Sequence, residues 1–381
     1  MATAATAETI AHPACGSPAR ITDRLKFGGD EGFQRELRRK VDKYFQSTGK
    51  GRRDCPQMYL KTAIILAWAI VSYWLLLFAA SAWWLTLPLV ISLGMALAAI
   101  GFNIQHDGSH SAYSRHRWIN RLMASTLDLL GGSSYMWAFK HNTVHHTYPN
   151  ITGYDDDINL GIFGRLSPHA KQFGFHKFQH LYLWILYGFV SIKWQLYDDF
   201  RDVVIGKNCG YPVSRPRGWD LAGFVSGKTV FFVLALLLPM FWHPAWLVLT
   251  VYMATSFVQG LVSSMVFQLP HCVEEAAFPM PDGITGRIGN SWAVHQIETT
   301  VDYGRGNRLL TWFVGGLNFQ IEHHLLPQIC HVHYPDLAPL VAETCQEFGL
   351  SYKTNRSFVT ALRSHYRWLK HMGTDERTLS R

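Results

Sequence analysis

Seven of the 19 histidines fall into three tight groups. The stretch HDGSH carries His106 and His110, HNTVHH carries His141, His145 and His146, and QIEHH carries His323 and His324. Spacing of i, i+4 puts two side chains on one face of a helix, so His106 pairs with His110 and His141 with His145. Several imidazoles packed together leave polar nitrogens to be satisfied and set cation against cation on protonation. A metal removes both costs, because neutral imidazole is a ligand for iron, zinc, copper or nickel. We therefore read the three groups as metal ligands. His271, in QLPHCVEE, is an eighth candidate, and His180, just before an apolar, aromatic stretch, is a ninth. One transition metal takes about four to six ligands, so eight or nine imidazoles imply two ions. The spacing alone does not choose the metal.

Carboxylates crowd the same stretches: Asp107, Asp155, Asp156, Asp157, Glu274, Glu275 and Glu322. A metal-bound histidine usually donates its other N–H to such a group. Asp107, Asn142, Asp156, Glu322 and Gln320 are the residues expected to orient or modulate the ligands. His116, His169, His176, His331, His333, His365 and His371 read as polar anchors at headgroup level.

The elements that must position these groups follow from charge. Residues 62–106 and 229–273 contain no Asp, Glu, Lys or Arg, although the chain as a whole is 16% charged and carries a net charge of +8. Each run is long enough for two passes of about 20 residues through a bilayer. Helices are predicted at about 62–81, 83–104, 229–242 (starting a few residues earlier) and 246–270, with tryptophan-bearing turns at SAWWL and FWHPAW. The fold class is an all-α integral membrane protein. Four transmembrane helices form two hairpins beneath a cytosolic helical cap that holds a dinuclear metal site. The divisions are a disordered lead over 1–28, an amphipathic cytosolic or interfacial helix within 29–60, the first hairpin at 61–106, cap at 107–227, the second hairpin at 228–271 and cap again at 272–381.

Lys and Arg crowd the segment before the first span and are missing from both short turns, so the N-terminus, the middle region and the tail should face the cytoplasm. Every candidate ligand then sits at one membrane face, and His243, in an opposite turn, is excluded. No secretory leader is read in residues 1–20. The six cysteines form no CxxC pair and are expected reduced. Residues 181–194 are apolar but too short to span, and read as an interfacial or re-entrant helix that brings His180 near the site. A fifth span here would instead separate the second and third histidine groups.

In order and spacing the three histidine groups resemble the boxes of membrane fatty acid desaturases, H-x(3–4)-H, H-x(2–3)-H-H and [HQ]-x-x-H-H, over nearly the whole chain from about residue 60. The resemblance implies two iron ions held by His106, His110, His141, His145, His146, His323 and His324, with His271 as the isolated extra ligand and His180 completing the set. It implies O₂ as co-substrate and removal of hydrogens from adjacent methylenes of an acyl chain carried on CoA, acyl carrier protein or a membrane lipid. Gln320 resembles the glutamine of front-end desaturases, which act between an existing double bond and the carboxyl end. Many of those carry a fused cytochrome b5 domain with an HPGG motif. HPAC at 12–15 is not that motif, so electrons are expected from a separate donor of ferredoxin or cytochrome b5 type. Gln320 either hydrogen-bonds a ligand or a water, or leaves a gap that His180 fills. Tyr135, Trp137, Trp292 and Phe319 are candidates for lining an acyl tunnel. The alternatives are a hydroxylase of the same superfamily and, more distantly, a metal-ion transporter. Transporters usually place ionisable ligands within their spans rather than at the ends. Nucleic acid is not expected as a partner.

Overall fold

The computed structural model describes residues 25–29, 32–80 and 82–374. The first 24 residues, most of the expected disordered lead, lie outside them. Residues 25–29 are docked: Lys26 bridges Arg287, Gly28 N donates to Asn290 O at 2.8 Å, and Phe27 packs on Tyr148 and His295.

Twelve helices, with shorter turns between them, carry the argument. They are α1 (Phe33–Thr48), α2 (Pro56–Phe78), α3 (Trp83–Ser109), α4 (Arg117–Ala124), α5 (Ser134–Trp137), α6 (Gln179–Gly188), α7 (Trp219–Phe241), α8 (Ala245–Gln268), α9 (Trp292–Thr299), α10 (Gln320–Leu325), α11 (Tyr334–Glu347) and α12 (Phe358–Thr374). Among the described residues four, α2, α3, α7 and α8, are long and apolar enough to cross a membrane. Their outer faces present Ile70, Trp74, Leu87, Ile91, Val225 and Leu249, the exposed apolar surface expected of helices solvated by lipid. α3 packs against both α2 and α8, and α8 also packs on α6.

The spans differ from expectation at their polar ends. α2 starts at Pro56, a residue pre-organised for a helical first turn, so it includes Lys61. α7 starts at Trp219, further ahead of 229 than the few residues expected, and includes Asp220 and Lys228. Both lysines are buried and partnered. Lys61 Nζ meets His331 Nε2 at 2.9 Å, and Lys228 Nζ donates to Asp199 Oδ2 at 2.8 Å and Gly131 O at 2.6 Å. A charge with partners can sit inside a span, so the charge-free runs underestimate the length of the helices.

Above the spans, α1 packs on α11 and α9. Its Phe33, Leu37, Val41 and Phe45 recur every four residues and are all buried, each contributing about 1.5–3 kcal/mol. They join Ile297, Ile321, Leu337 and Val341 in one apolar cluster that includes the helix of the third histidine group. α6 continues through Val190–Lys193 to Asp199–Ile205 and packs on α8 and α12. It is not among the four long apolar helices. A two-residue parallel pairing of Asp302–Tyr303 with Thr354–Asn355 ties the segment before α10 to the tail.

Candidate metal centre

His106 and His110 lie at the C-terminal end of α3, after a widened, π-helical turn at Ile100–Gln105. Such turns are frequent at functional sites. Gly108 between them lets α4 approach: a Cβ there would lie 2.6 Å from Ala124 N and 2.9 Å from Asn120 O. The second group follows α5 through another π-helical stretch, Ala138–His145. His146 N donates to His141 O at 3.1 Å, an i→i+5 bond. A regular α-helix would turn His146 about 140° away from His141. The widened turn lets His141, His145 and His146 point into one space. His271 follows the end of α8, and His323 and His324 lie on α10.

These eight imidazoles meet, and all are buried. His106, His110, His141 and His323 can each offer one ligand atom such that all lie within 4.8 Å of one another, as can His145, His271 and His324. His146 joins the two sets, forming a further group with His323 and His324. The Nε2 atoms of His106 and His146 lie 3.2 and 3.3 Å from His141 Nε2. Rings of the two sets pack closely, with centroids 4.4 Å apart for His106–His323, 4.4 Å for His146–His324 and 4.7 Å for His145–His271.

The ring nitrogens divide in a consistent way. His145 Nδ1 lies 3.2 Å from both oxygens of Asp155, which can only accept, so that nitrogen carries the proton. His324 Nδ1 donates to Gln296 Oε1 at 2.8 Å and His271 Nδ1 to the Thr299 carbonyl at 3.2 Å. His323 Nδ1 is 3.4 Å from the Tyr334 hydroxyl. On the inner side His110 Nε2, His323 Nε2 and His324 Nε2 are buried with no hydrogen-bond partner among the described residues. Buried donors or acceptors without partners are costly, and a metal is what such lone pairs would satisfy. Burial, together with the neighbouring imidazoles, holds His141, His146, His323 and His324 well below the ordinary histidine pKa, and pushes His110 down to about 3. Burial opposes the His145 cation too, but Asp155 and Asp157 outweigh it and raise its pKa. The set is therefore mostly neutral imidazole, the form that binds metal.

The fatty acid desaturase profile matches residues 81–356, more than half of the chain. The chain belongs to the fatty acid desaturase family. The desaturase is 39% identical over 362 residues to the sn-1 linoleoyl-lipid 6-desaturase of Arthrospira platensis, covering 94% of this chain and 97% of that protein. It is 40% identical over 354 residues to the enzyme of the same name from a Synechocystis species, covering 92% and 98%. It is 34% identical over 351 residues to an acyl-lipid (8-3)-desaturase of Physcomitrium patens, covering 91% and 73%. The chain is a membrane fatty acyl desaturase.

Several expected residues lie elsewhere in the desaturase. His180 does not join the cluster: at the start of α6 its ring packs edge-on against Tyr366, 5.3 Å between centroids. α6 is committed to α8 and α12 by its apolar face, which holds its first turn away from the other histidines. Asp107 turns from the box histidines to His331, whose Nδ1 it meets at 2.9 Å. Asp156 is drawn to Lys140 at 3.6 Å, and its neighbours Asp155 and Asp157 face His145 instead, the latter at 3.5 Å. Glu322 accepts from the Tyr352 hydroxyl at 2.8 Å and is pushed well up in pKa by burial and by Asp302. It braces α10 rather than touching a histidine. Asn142 holds the first box, donating to Ser109 O and Oγ at 2.9 Å each. Gln320 does reach a candidate ligand, with its Nε2 3.0 Å from His271 Nε2.

Of the aromatic candidates, Trp137 stacks on His141 with centroids 4.2 Å apart, and Trp292 Nε1 donates to His146 O at 3.1 Å. Phe319 is buried with Tyr334 and Ala338, and Tyr135 OH donates to Ser214 O at 2.8 Å, away from the histidines. No spacing or motif points to Gln296 or Tyr334. Each is an ordinary helix residue far along the chain from its partner, 28 and 11 positions respectively.

Proposed function

We propose that the desaturase holds two iron ions, one on His106, His110, His141 and His323 and one on His145, His271 and His324, with His146 between them. The neutral donor set and the unpartnered inner Nε2 atoms fit such ions. When bound, the irons supply the O₂-dependent oxidation of an acyl chain: two adjacent methylenes, O₂, two electrons and two protons become a double bond and two waters.

The chain's own groups do the rest. Asp155, Gln296 and the Thr299 carbonyl fix the Nδ1–H tautomers of His145, His324 and His271, so that each Nε2 points inward. The widened turns before His106 and over box two aim five imidazoles from two helices into one space. Gln320 stands beside the inner nitrogen of His271, its Nε2 3.0 Å from His271 Nε2, and would turn from that lone pair when the ring binds iron. Burial of all eight rings keeps water from the reacting carbons.

Two hairpins, α2–α3 and α7–α8, place this centre in a cytosolic cap, with both termini cytoplasmic, a reading carried by the Lys- and Arg-rich segment before α2. Electrons come from a separate donor of ferredoxin or cytochrome b5 type. The substrate is an acyl chain esterified in a membrane lipid, and the double bond enters toward its carboxyl end. The Gln-type third box and the names of the relatives support this reading.

The observation that carries the proposal is the meeting of eight histidines from four separate stretches. Expression in a host that makes no polyunsaturated fatty acids, with a reductase system supplied, should give a new double bond on the carboxyl side of an existing one. An unchanged lipid profile across several donors and chain lengths would overturn the assignment. About two irons per purified chain are expected, and far fewer would sink the dinuclear site.

A further inference from the structure

A second site stands apart from the histidines, where the chain enters α7. A cavity of about 380 Å³ is lined by Tyr135, Ser214, Arg215, Arg217 and Asp220. Its two guanidinium groups outnumber its one carboxylate, Asp220. The carboxylates nearby in sequence are taken by other residues: Asp198 by Lys193 at 2.7 Å, Asp202 by Arg201 at 2.6 Å and Asp199 by Lys228 at 2.8 Å. Neither Arg215, Arg217 nor Asp220 forms an ion pair among the described residues. Arg215 is held in place, donating from Nη2 to Val204 O at 2.6 Å. Arginines near a span end are often simple anchors to the headgroup layer. Here two of them instead border a concave space of small-ligand size.

The surroundings of the cavity are apolar and open. Val204 and Ile205 end the segment that continues α6, and Trp219 begins α7; all three are exposed, Trp219 at 92%. A cationic opening flanked by exposed apolar side chains at the end of a span suits an anionic amphiphile. The cavity is also tied to the metal centre. Tyr135 OH donates to Ser214 O at 2.8 Å, and Tyr135 lies on α5, whose last residue, Trp137, stacks on His141. α5 is one turn, about 6 Å long.

We propose that this cavity binds the phosphate of an anionic glycerolipid headgroup, Arg215 and Arg217 gripping its oxygens, while the acyl chain of the same lipid runs past Trp137 to the histidines. Planar guanidinium forks match phosphate oxygens. The short path from Tyr135 to His141 presents the carbons nearest the ester, which is where a front-end desaturase acts. The inference rests on the acyl-lipid reading above.

The test uses the iron-loaded, full-length enzyme in vesicles with a reductant system, comparing acyl chains on phosphatidylglycerol with the same chains on an uncharged galactolipid. The wild type is expected to show a KM about tenfold lower for phosphatidylglycerol, the size of one charge-assisted contact. In the double variant Arg215→Gln/Arg217→Gln that preference disappears through a rise in KM, with kcat changed less than about twofold. Folding is checked by iron content and thermal unfolding. If the double variant does not fold, Arg217→Lys, which keeps charge but loses the fork, should raise KM about threefold on its own, and no change overturns the proposal. Equal KM for the two lipids in the wild type overturns the headgroup site while leaving the acyl-lipid reading intact. Desaturation of neither lipid, with acyl-CoA turned over instead, overturns both. Competition by inorganic phosphate as strong as that by phosphatidylglycerol would make this a free-phosphate site and overturn the lipid assignment.

Discussion

His323 and His324 are eight and nine residues away from His331 and His333 respectively, and all four are buried, yet their nitrogens meet different fates. His331 is fully engaged: Nδ1 meets Asp107 at 2.9 Å and Nε2 meets Lys61 at 2.9 Å. His333 Nε2 lies 2.8 Å from Gly51 O and 3.2 Å from Cys55 Sγ. His323 and His324 use only Nδ1 and leave Nε2 buried without a partner among the described residues. The pair at 331 and 333 is structural cement between α2 and the segment before α11. The pair at 323 and 324 is an unsatisfied donor set. Asp107, Cys330 and His331 also lie close enough to ligate a metal, but the Lys61 ammonium already stands at His331. Burial and clustering of histidine therefore do not distinguish a ligand from a brace. For these two pairs, the unpaired nitrogen turned toward other imidazoles does.

The largest effect that tests this contrast is His323→Ala, which should lower desaturation by more than about 100-fold, beyond the loss usual for an outer partner, and reduce iron per chain, with the protein still inserted. His331→Ala should instead keep both irons. If His331→Ala strips iron as His323→Ala does, the contrast is broken.

Next come the residues that orient the rings. Asp155→Asn and Gln296→Leu should each weaken iron retention by about 10–100-fold in a chelator competition, Asp155→Asn more, because its carboxylate meets His145 with both oxygens. Unchanged retention in both would mean the tautomers are fixed elsewhere. His331→Ala should cost about 1–3 kcal/mol of stability, since it leaves Lys61 buried and unpaired and Asp107 with only the backbone N–H of residue 331, read as a lowered thermal midpoint. Gly108→Ala should cost about 1–3 kcal/mol as well, because its Cβ would press on the α4 backbone. It should also disturb iron binding between His106 and His110. The smallest effect is expected at His180: His180→Ala should stay within about 0.5 kcal/mol in stability and within twofold in activity, and a large loss of iron would return it to the ligand set.

Much of the site was legible because the chemistry is written in local spacing. Pairs at i, i+4 share a helix face whatever the tertiary fold, so the boxes could be read one by one. Span counting then put His106, His141, His271 and His323 at one level, because a charge-free run of about 45 residues has few ways to be stable other than as membrane helices. What failed were positions that depend on packing between distant segments. His180 precedes an apolar stretch that resembled a helix leading to the site, but that helix packs on α8 and α12 instead. Asp107 neighbours a box histidine in sequence, but its side chain answers to His331, 224 residues away. The polar ends of α2 and α7 were cut short because Lys61 and Lys228 find partners that the sequence does not announce.

The sequence by itself determined the family, four helices long and apolar enough to cross a membrane, and the eight histidines that come together, since composition, hydropathy and short-range periodicity need no knowledge of the fold. The tertiary structure decided which nitrogen of each ring faces inward, which carboxylate holds it there, that His146 shares a face with His141, and that Gln320 is spent on His271. Those choices rest on hydrogen bonds between residues far apart in the chain and on two widened helical turns, and neither leaves a periodic trace in the residues that make them.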